Sequence, residues 1–402
     1  MKIIVLLGDG MSDEPCAELD GKTPLQAAQT PNMDKMAQAG QVGLAHTVPD
    51  GLPPGSDVAN LSVFGYDPRT CYTGRSPLEA ISMGVQLGPH DVAFRMNLVT
   101  LTPHNGKIYM EDFSAGHIGS EESHQLVATL QAELGDERFE FHPGVGYRHL
   151  LVWRNGKDAM TATPPHDISG KKVLEYLPQG DGADELINLM NSSQMVLHNH
   201  PINKQRKERD ELPATSIWLW GHGKSPVLQP YQEKFGLSGA VISAVDLMKG
   251  IGLCAGLEVI NVPGATGYID TNYKGKAEAA LAALERLDFV YVHVEAPDEA
   301  SHSGNLQHKI KAIEDFDQLV VGTVLAGADR FDDLRIICCP DHPTPVQKMT
   351  HTSDPVPFIV YRCGQQNGNG ATAYDEAQAK ATGLVLAEGY QLMELVTASP
   401  IN

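Results

Sequence analysis

The sequence predicts an α/β protein: a doubly wound, mostly parallel core sheet interrupted by an inserted α+β domain. Three observations carry this reading. Short apolar strand-like runs alternate with helix-period segments at both ends of the chain, the pattern of a parallel sheet wrapped by helices. That alternation is lost between about Leu87 and Pro213. At 402 residues the chain also exceeds what one hydrophobic core usually organises, so two domains are expected: residues 1–86 and 214–402 as a discontinuous core, and 87–213 as the insert.

Taken in order, Ile3 to Leu7 is a continuous, partly β-branched apolar run ending at Gly8-Asp9-Gly10, which predicts a buried parallel strand. Thr30-Pro31-Asn32 opens a helix that runs to Ala39 and stops at Gly40. Beyond the middle region the spacing predicts a helix over Ala240–Lys249, a strand at Glu258–Val262 and a helix at Lys276–Leu287. A strand at Phe289–Val294, a long helix near Leu306–Leu325 and a strand at Leu334–Cys339 follow. In the insert, polar clusters such as TPHNGK and HNHPINKQRKERDE separate strand-like runs such as YRHLLVW. Ser216–Trp220 fits either domain.

The bulk numbers narrow the function. A hydrophobic fraction of 42% and a charged fraction of 20% are those of an ordinary globular protein. A formal net charge of −20 argues against binding nucleic acid or an acidic membrane surface through general electrostatics. It leaves room for an anionic small substrate wherever arginines or metal ions reverse the local field. No apolar run approaches the roughly 20 residues of a membrane span, and the N-terminal run is too short for a signal-peptide core. The six cysteines show no metal or disulfide spacing, which suits reduced thiols in the cytoplasm.

The stretch GLPPGSDVANLSVFGYDP sets Ser56 at the start of a helix. Its simplest role is an N-cap. The same geometry puts a hydroxyl at the positive end of a helix dipole, where phosphate is welcome.

Three strand ends carry ligand-type side chains. The first strand ends in Asp9, FVYVHV leads into EAPDEASHSG with Asp298 and His302, and RIICC leads into PDHPTP with Asp341 and His342. A fourth segment, MTHTSDPVPF, brings His351 in front of another strand. Ligands of open α/β sheets gather beyond the carboxyl ends of the strands, so these groups converge if the strands are neighbours. Asp298 and His302 stand four apart, on one helical face. With His351 they form one set, and Asp9, Asp341 and His342 with Ser56 form a second. Mixed carboxylate and imidazole donors suit Mn²⁺ or Zn²⁺, with Mg²⁺ or Co²⁺ possible. Two such ions clamp a phosphoryl group and activate a serine nucleophile, which gives Ser56 a second role.

The order and wording of GDGMSDEP, LDGKTPLQAAQTPNMDKMA, GSDVANLSVFGYDP, TGRSPLEA, AGHI, PGVGYRHLLV, PPHDI, SIWLWGHGK, GAVISAVDLMKGIG, GATGYIDTNY, APDEASHSGN and HTSDPVP resemble the archaeal-type cofactor-independent (2,3-bisphosphoglycerate-independent) phosphoglycerate mutases, members of the alkaline phosphatase superfamily. The resemblance covers essentially the whole chain. It implies an alkaline-phosphatase-like core split by a substrate-binding cap. It also implies interconversion of 3-phosphoglycerate and 2-phosphoglycerate through a phosphoserine on Ser56, in an enclosed site, with no 2,3-bisphosphoglycerate requirement. Asp9, Ser56, Asp341 and His342 would hold one metal, and Asp298, His302 and His351 the other, Mn²⁺ being the expected ion.

The substrate's anionic groups call for arginine, which binds phosphate and carboxylate bidentately. By residue chemistry the candidates are Arg148, His166, Asp167, Arg206, Arg209 and Lys224. For Arg206 and Arg209 the alternative is a solvated charged loop, for His166 a turn, and Arg75 is as readily a hinge salt bridge as a substrate ligand. Three other readings stay open: phosphoryl transfer to another small alcohol such as homoserine, a phosphatase or phosphodiesterase of the same superfamily, and a non-catalytic metal-binding protein. The intact Ser56 and ligand set argue against the last.

Overall fold

The computed structural model describes residues 1–398 and divides into two compact units, Met1–Tyr72 with Val227–Asn402, and Thr73–Pro226. The first unit is built on an eight-stranded sheet. Its strands in chain order are β1 (Lys2–Gly8), β2 (Gln41–Ala45), β3 (Gly239–Ile242), β4 (Glu258–Val259), β5 (Phe289–Val294), β6 (Leu334–Cys339), β7 (Val356–Arg362) and β8 (Val385–Leu386). They lie in the order β4-β3-β5-β1-β6-β7-β2-β8. The five strands from β4 to β6 are parallel, and β7 runs antiparallel to β6 and β2.

β1, β5 and β6 are side by side in the middle of this sheet and almost wholly apolar, as strands covered on both faces must be. One face buries Ile4, Leu6, Val290, Val292, Ile336 and Cys338 against helices α1 (Pro31–Ala39), α4 (Tyr273–Leu284) and α6 (Leu306–Asp315). Alternation turns Tyr291 to the other face, where it stacks at 3.9 Å on Phe64, at the end of α2 (Ser56–Val63). That face also carries α3 (Asp246–Cys254), and the short α5 (Ala296–His302) follows β5 directly.

The strands predicted at Ile3–Leu7, Phe289–Val294 and Leu334–Cys339 and the helix from Pro31 to Ala39 are where the sequence puts them. The helix expected over Ala240–Lys249 is instead strand β3 followed by α3. GAVI is a four-residue apolar run, and periodicity alone does not separate a buried strand of that length from a helix. β4 stops at Val259 rather than Val262, because only Glu258 and Val259 pair with β3. The long helix near Leu306–Leu325 is continuous through Ala326 but widens to a π-helix over Phe316–Val321. Asp317 in this segment accepts from Met33 N at 2.7 Å, Asn32 N at 3.2 Å and Asn32 Nδ2 at 2.9 Å, and so satisfies the free N–H groups at the start of α1.

The second unit is α+β, as the middle of the sequence predicts. Its long strand Val92–His104 pairs antiparallel with Ser216–Lys224, Arg148–Trp153 and Lys107–Asp112, and helices Ser120–Leu134 and Ala183–His198 supply apolar side chains to its core. The unit extends beyond the 87–213 expected from sequence. The helix Ser76–Ser82 packs on its strands, and the strand from Ser216 runs on to Lys224, which resolves the ambiguity over Ser216–Trp220.

Candidate active site

The carboxyl ends of β1, β5 and β6 put Asp9, the start of α5 and Asp341-His342 side by side, as adjacent parallel strands require. Asp9, Asp298, Asp341 and His342 are buried, and His302 and His351 are half-buried. His342 Nε2 lies 3.4 Å from Asp341 Oδ2, 3.6 Å from Asp9 Oδ1 and 3.2 Å from Ser56 Oγ. Beside this set, His302 Nε2 is 2.8 Å from His351 Nε2 and 3.2 Å from Asp298 Oδ2, and His351 Nε2 is 3.6 Å from Asp298 Oδ1. The His342 and His351 rings are 4.0 Å apart, so the two sets adjoin.

Donor atoms that share one ion at about 2.1 Å stand roughly 3 to 3.5 Å from each other, and the separations given above, 2.8 to 3.6 Å, lie close to that. Asp9 Oδ1 is buried with no hydrogen-bond partner, an orphan that a cation would satisfy. The donors are carboxylates, imidazoles and one hydroxyl, the mixture expected of a Mn²⁺- or Zn²⁺-type site. The residues therefore fit two ions.

The electrostatics describe the same strain. Burial first, then the neighbouring Asp341, Glu295 and Asp298, raises the Asp9 carboxyl well above its ordinary range. Burial likewise pushes Asp341 up to about 6. Burial would raise Asp298 too, but hydrogen bonds and charge from His302 and His351 hold it well below the ordinary range. Burial and the nearby His351 drop His342 to about 3, so its ring is neutral and its lone pair free to bind a cation.

Ser56 is the first residue of α2, and Gly55 is the cap. Its Oγ makes no capping bond to the helix and points instead to His342. The simple N-cap role is therefore not the one Ser56 has.

Several functional groups were not singled out from the sequence. Asn60, one turn after Ser56 on α2, donates Nδ2 to Asp341 Oδ2 at 2.7 Å and to the Ser56 carbonyl at 2.8 Å, and accepts from Tyr291 Oη at 2.6 Å. Lys309, fully buried on α6, donates to Asp13 Oδ2 at 2.8 Å, the Thr344 carbonyl at 2.9 Å and the Ser12 carbonyl at 3.2 Å. It ties together the loops that follow β1 and β6. Thr344 Oγ1 donates to Asp298 Oδ1 at 2.5 Å.

The candidate substrate residues separate into two groups. Arg206 is buried and committed to the scaffold. Its donors go to Glu122, the Leu212 carbonyl and the Ala115 carbonyl, so the anion-binding role expected of it is not supported by its surroundings. Arg209 is exposed but paired with Glu122 and Glu211, and Lys224 is paired with Asp158 at 3.0 Å.

Arg148 and His166 belong to a different neighbourhood of the second unit. His166 meets Trp220 edge-on at 5.3 Å, and Asp167 beside it is exposed. Arg95, on the long central strand, lies 5.0 Å from the Trp220 ring and gives Nη1 to Glu79 at 2.9 Å. Arg75 gives Nε to the same Glu79 oxygen at 2.8 Å. Arg148 lies over Tyr147 and acts electrostatically on both Glu79 and Arg95. Two guanidinium groups thus share one carboxylate oxygen, and the charge of a third, Arg148, acts on it from farther away. Burial, then the like charges of Arg75 and Arg148, lowers Arg95 to about 10 against the pull of Glu79. Its Nε is buried and has no hydrogen-bond partner. An arginine inside the apolar run VAFRMNL was the readable signal for this group.

A family model described as 2,3-bisphosphoglycerate-independent phosphoglycerate mutase matches residues 37–203. A probable enzyme of that name from Geobacter sulfurreducens is 64% identical over 98% of this chain and 99% of its own. A Methanosarcina barkeri enzyme is 54% identical at the same coverage. Among solved structures, the PH0037 protein of Pyrococcus horikoshii superposes with a TM-score of 0.83 at 29% identity, covering 100% of this chain and 99% of that one. The cofactor-independent phosphoglycerate mutase of Thermoplasma acidophilum gives 0.64 at 28% identity, covering 98% and 99%. With relatives this similar along its whole length, the chain belongs to the 2,3-bisphosphoglycerate-independent phosphoglycerate mutase family.

Proposed function

We propose that this protein interconverts 3-phosphoglycerate and 2-phosphoglycerate through a phosphoserine at Ser56, using two divalent ions and no 2,3-bisphosphoglycerate. The observation that carries the reading is Ser56 Oγ turned away from its own helix and set 3.2 Å from His342 Nε2, among the ligand-type groups. Asp9, Asp341 and His342 with Ser56 would hold one ion, and Asp298, His302 and His351 the other. Mn²⁺ suits the donors best. Bound there, the ions neutralise charge on the transferred phosphoryl group.

The protein's own groups do the rest. Ser56 Oγ attacks phosphorus, the new O–P bond forms, and the bond from phosphorus to the glycerate 3-oxygen breaks. The proton lost by Ser56 balances the one gained by the glycerate alkoxide, so the half-reaction releases no net proton. The glycerate then turns, its 2-oxygen bonds to phosphorus as the Ser56 Oγ–P bond breaks, and the 2-hydroxyl proton is balanced by the one regained at Ser56 Oγ. The start of α2 sets Ser56 at the positive end of a helix dipole, which suits a phosphoryl group. Within the second unit, the group of Arg75, Arg95 and Arg148 around Glu79, with His166 in the same neighbourhood, is the one whose charge suits an anionic group of the substrate. This replaces Arg206 and Arg209 as the substrate contacts and retains Arg148 and His166.

The test is a coupled assay for 2-phosphoglycerate formed from 3-phosphoglycerate by the Mn²⁺-loaded protein, with bisphosphoglycerate rigorously removed and free phosphate followed in parallel. Steady product without phosphate release supports the reading. Phosphate release without 2-phosphoglycerate would make the protein a phosphatase and overturn it.

A further inference from the structure

The loop after β6 sets Thr344 between two prolines, in the run His342-Pro343-Thr344-Pro345. Each proline ring fixes its own φ and holds the residue before it to extended backbone, so the segment has little freedom of its own. Contacts with other loops remove the rest. Thr344 N donates to the Ser12 carbonyl at 3.1 Å, its carbonyl accepts from Lys309 Nζ at 2.9 Å, and the residue is fully buried. The backbone that carries the hydroxyl is thus fixed by contacts other than the hydroxyl's own.

That hydroxyl touches both proposed ligand sets. Thr344 Oγ1 lies 2.5 Å from Asp298 Oδ1 and 3.2 Å from His342 Nδ1. A hydroxyl has one proton to give, and an ionised carboxylate can only accept, so Thr344 donates to Asp298. The imidazole is then the donor on the other side. His342 gives Nδ1–H to Oγ1, and its Nε2 lone pair is left facing Asp9, Asp341 and Ser56. Two hydrogen bonds in series therefore run from a residue of one set to a residue of the other.

Gly10 closes over this pair. A Cβ there would come within 2.6 Å of Thr344 Oγ1 and 2.7 Å of Asp298 Oδ1, and the backbone of Gly10 is in the left-handed region at φ +60°. Only a residue without a side chain lets the loop after β1 lie against the bond without forcing it apart. A histidine that binds a metal through one nitrogen generally gives its other N–H to a fixed acceptor, and loss of such a partner costs roughly 10- to 100-fold in metal affinity.

We propose that Thr344 is a positioning residue for both ions at once: its hydroxyl fixes the ring and tautomer of His342 on one side and the carboxylate of Asp298 on the other. It acts through these two neighbours and is not itself a ligand. The inference rests on the two-ion reading.

The experiment is calorimetric titration of the metal-free protein with Mn²⁺, for wild type, Thr344→Val, Thr344→Ala and Thr344→Ser, each shown by denaturant unfolding to be folded. Wild type should take up two ions per chain. Thr344→Val and Thr344→Ala, which lack the hydroxyl, should bind both ions about 10- to 100-fold more weakly, and Thr344→Ser, which keeps it, should bind them as wild type does. If Thr344→Val does not fold, the alanine and serine variants carry the comparison. Either ion bound as tightly as in wild type without the hydroxyl would overturn the link between the sets. A serine variant as weak as the alanine one would overturn it too, because packing of the methyl group and not the hydroxyl would then be responsible. Fewer than two ions in wild type would overturn the two-ion reading itself, and this inference with it.

Discussion

Asn60 Nδ2 lies 2.7 Å from Asp341 Oδ2 while the same side chain holds the Ser56 carbonyl at 2.8 Å. One amide thus sets the turn of α2 that carries Ser56, the proposed nucleophile, against Asp341, a proposed metal ligand that follows β6. It fixes which Asp341 oxygen is directed to the His342 side, because the other, Oδ1, accepts from Gly10 N and His342 N.

Removing this amide should loosen the ligand without touching the nucleophile. Asn60→Ala is expected to weaken divalent-ion affinity about 10- to 100-fold, the usual cost of losing an outer-shell partner, and excess Mn²⁺ should recover much of the activity. Calorimetric titration of apo protein measures the first and saturation kinetics the second. Unchanged affinity would mean that Asp341 is held by its backbone contacts alone.

The Lys309–Asp13 pair predicts a stability effect. Both side chains are buried and 2.8 Å apart. Lys309→Met leaves the Asp13 carboxylate buried without its ammonium, at a cost of about 3–5 kcal/mol by denaturant unfolding. The double variant Lys309→Met, Asp13→Asn should regain part of that loss, because no uncompensated charge is left. A single variant as stable as wild type would remove the pair from the account.

For the second unit, Arg148→Ala should raise the KM for 3-phosphoglycerate roughly 30- to 150-fold, the equivalent of about 2–3 kcal/mol for one charge-assisted contact. Arg209→Ala, whose guanidinium is already paired with Glu122 and Glu211, should stay within about twofold of wild type, as a surface ion pair allows. Equal effects of the two substitutions would contradict the assignment of the grip to the Glu79 cluster.

His149 gives a pH prediction for the same unit. It is buried, accepts from Gly144 N at 3.0 Å through Nδ1, and burial lowers its pKa to about 3. Above pH ~6.5 the ring is neutral folded and unfolded, and its contribution is constant. As pH falls from ~6.5 towards about 3, only the unfolded chain takes up the proton, and stability drops by about 1.4 kcal/mol per pH unit from this residue. His149→Gln should flatten that slope between pH 6 and pH 4 in urea unfolding followed by tryptophan fluorescence. An unaltered slope would show that another group titrates there.

The legible parts of the sequence are those whose meaning is local. β1, β5 and β6 could be read because runs such as FVYVHV and RIICC are long, apolar and punctuated, and the ligands that follow them inherit their position from the strands. GAVI was too short to tell strand from helix. The role proposed for Ser56 could be reached only through the pattern of ligand-type residues, since a hydroxyl at a helix start has a simpler use as a cap. What was not legible depends on pairing across the chain. Lys309 meets Asp13 from 296 residues away, and Arg206 finds the carbonyls that bury it at Ala115 and Leu212. From NKQRKERD alone, Arg206 and Arg209 look equally available for substrate. His293 and Arg95 lie between these cases: each is a polar side chain inside an apolar strand, a departure visible in the sequence whose meaning only the neighbouring strands supply.

The central claim is that phosphorus passes through Ser56, and it is tested most directly by trapping the intermediate. Mn²⁺-loaded protein mixed with 3-phosphoglycerate and quenched in acid should carry one phosphoryl group, located by peptide mass spectrometry on Ser56. Ser56→Ala, with its fold and unfolding midpoint retained, should carry none and lose at least about 10³-fold in turnover. A phosphoryl group on another residue, or a well-folded Ser56→Ala that keeps more than a few per cent of mutase activity, would contradict the account.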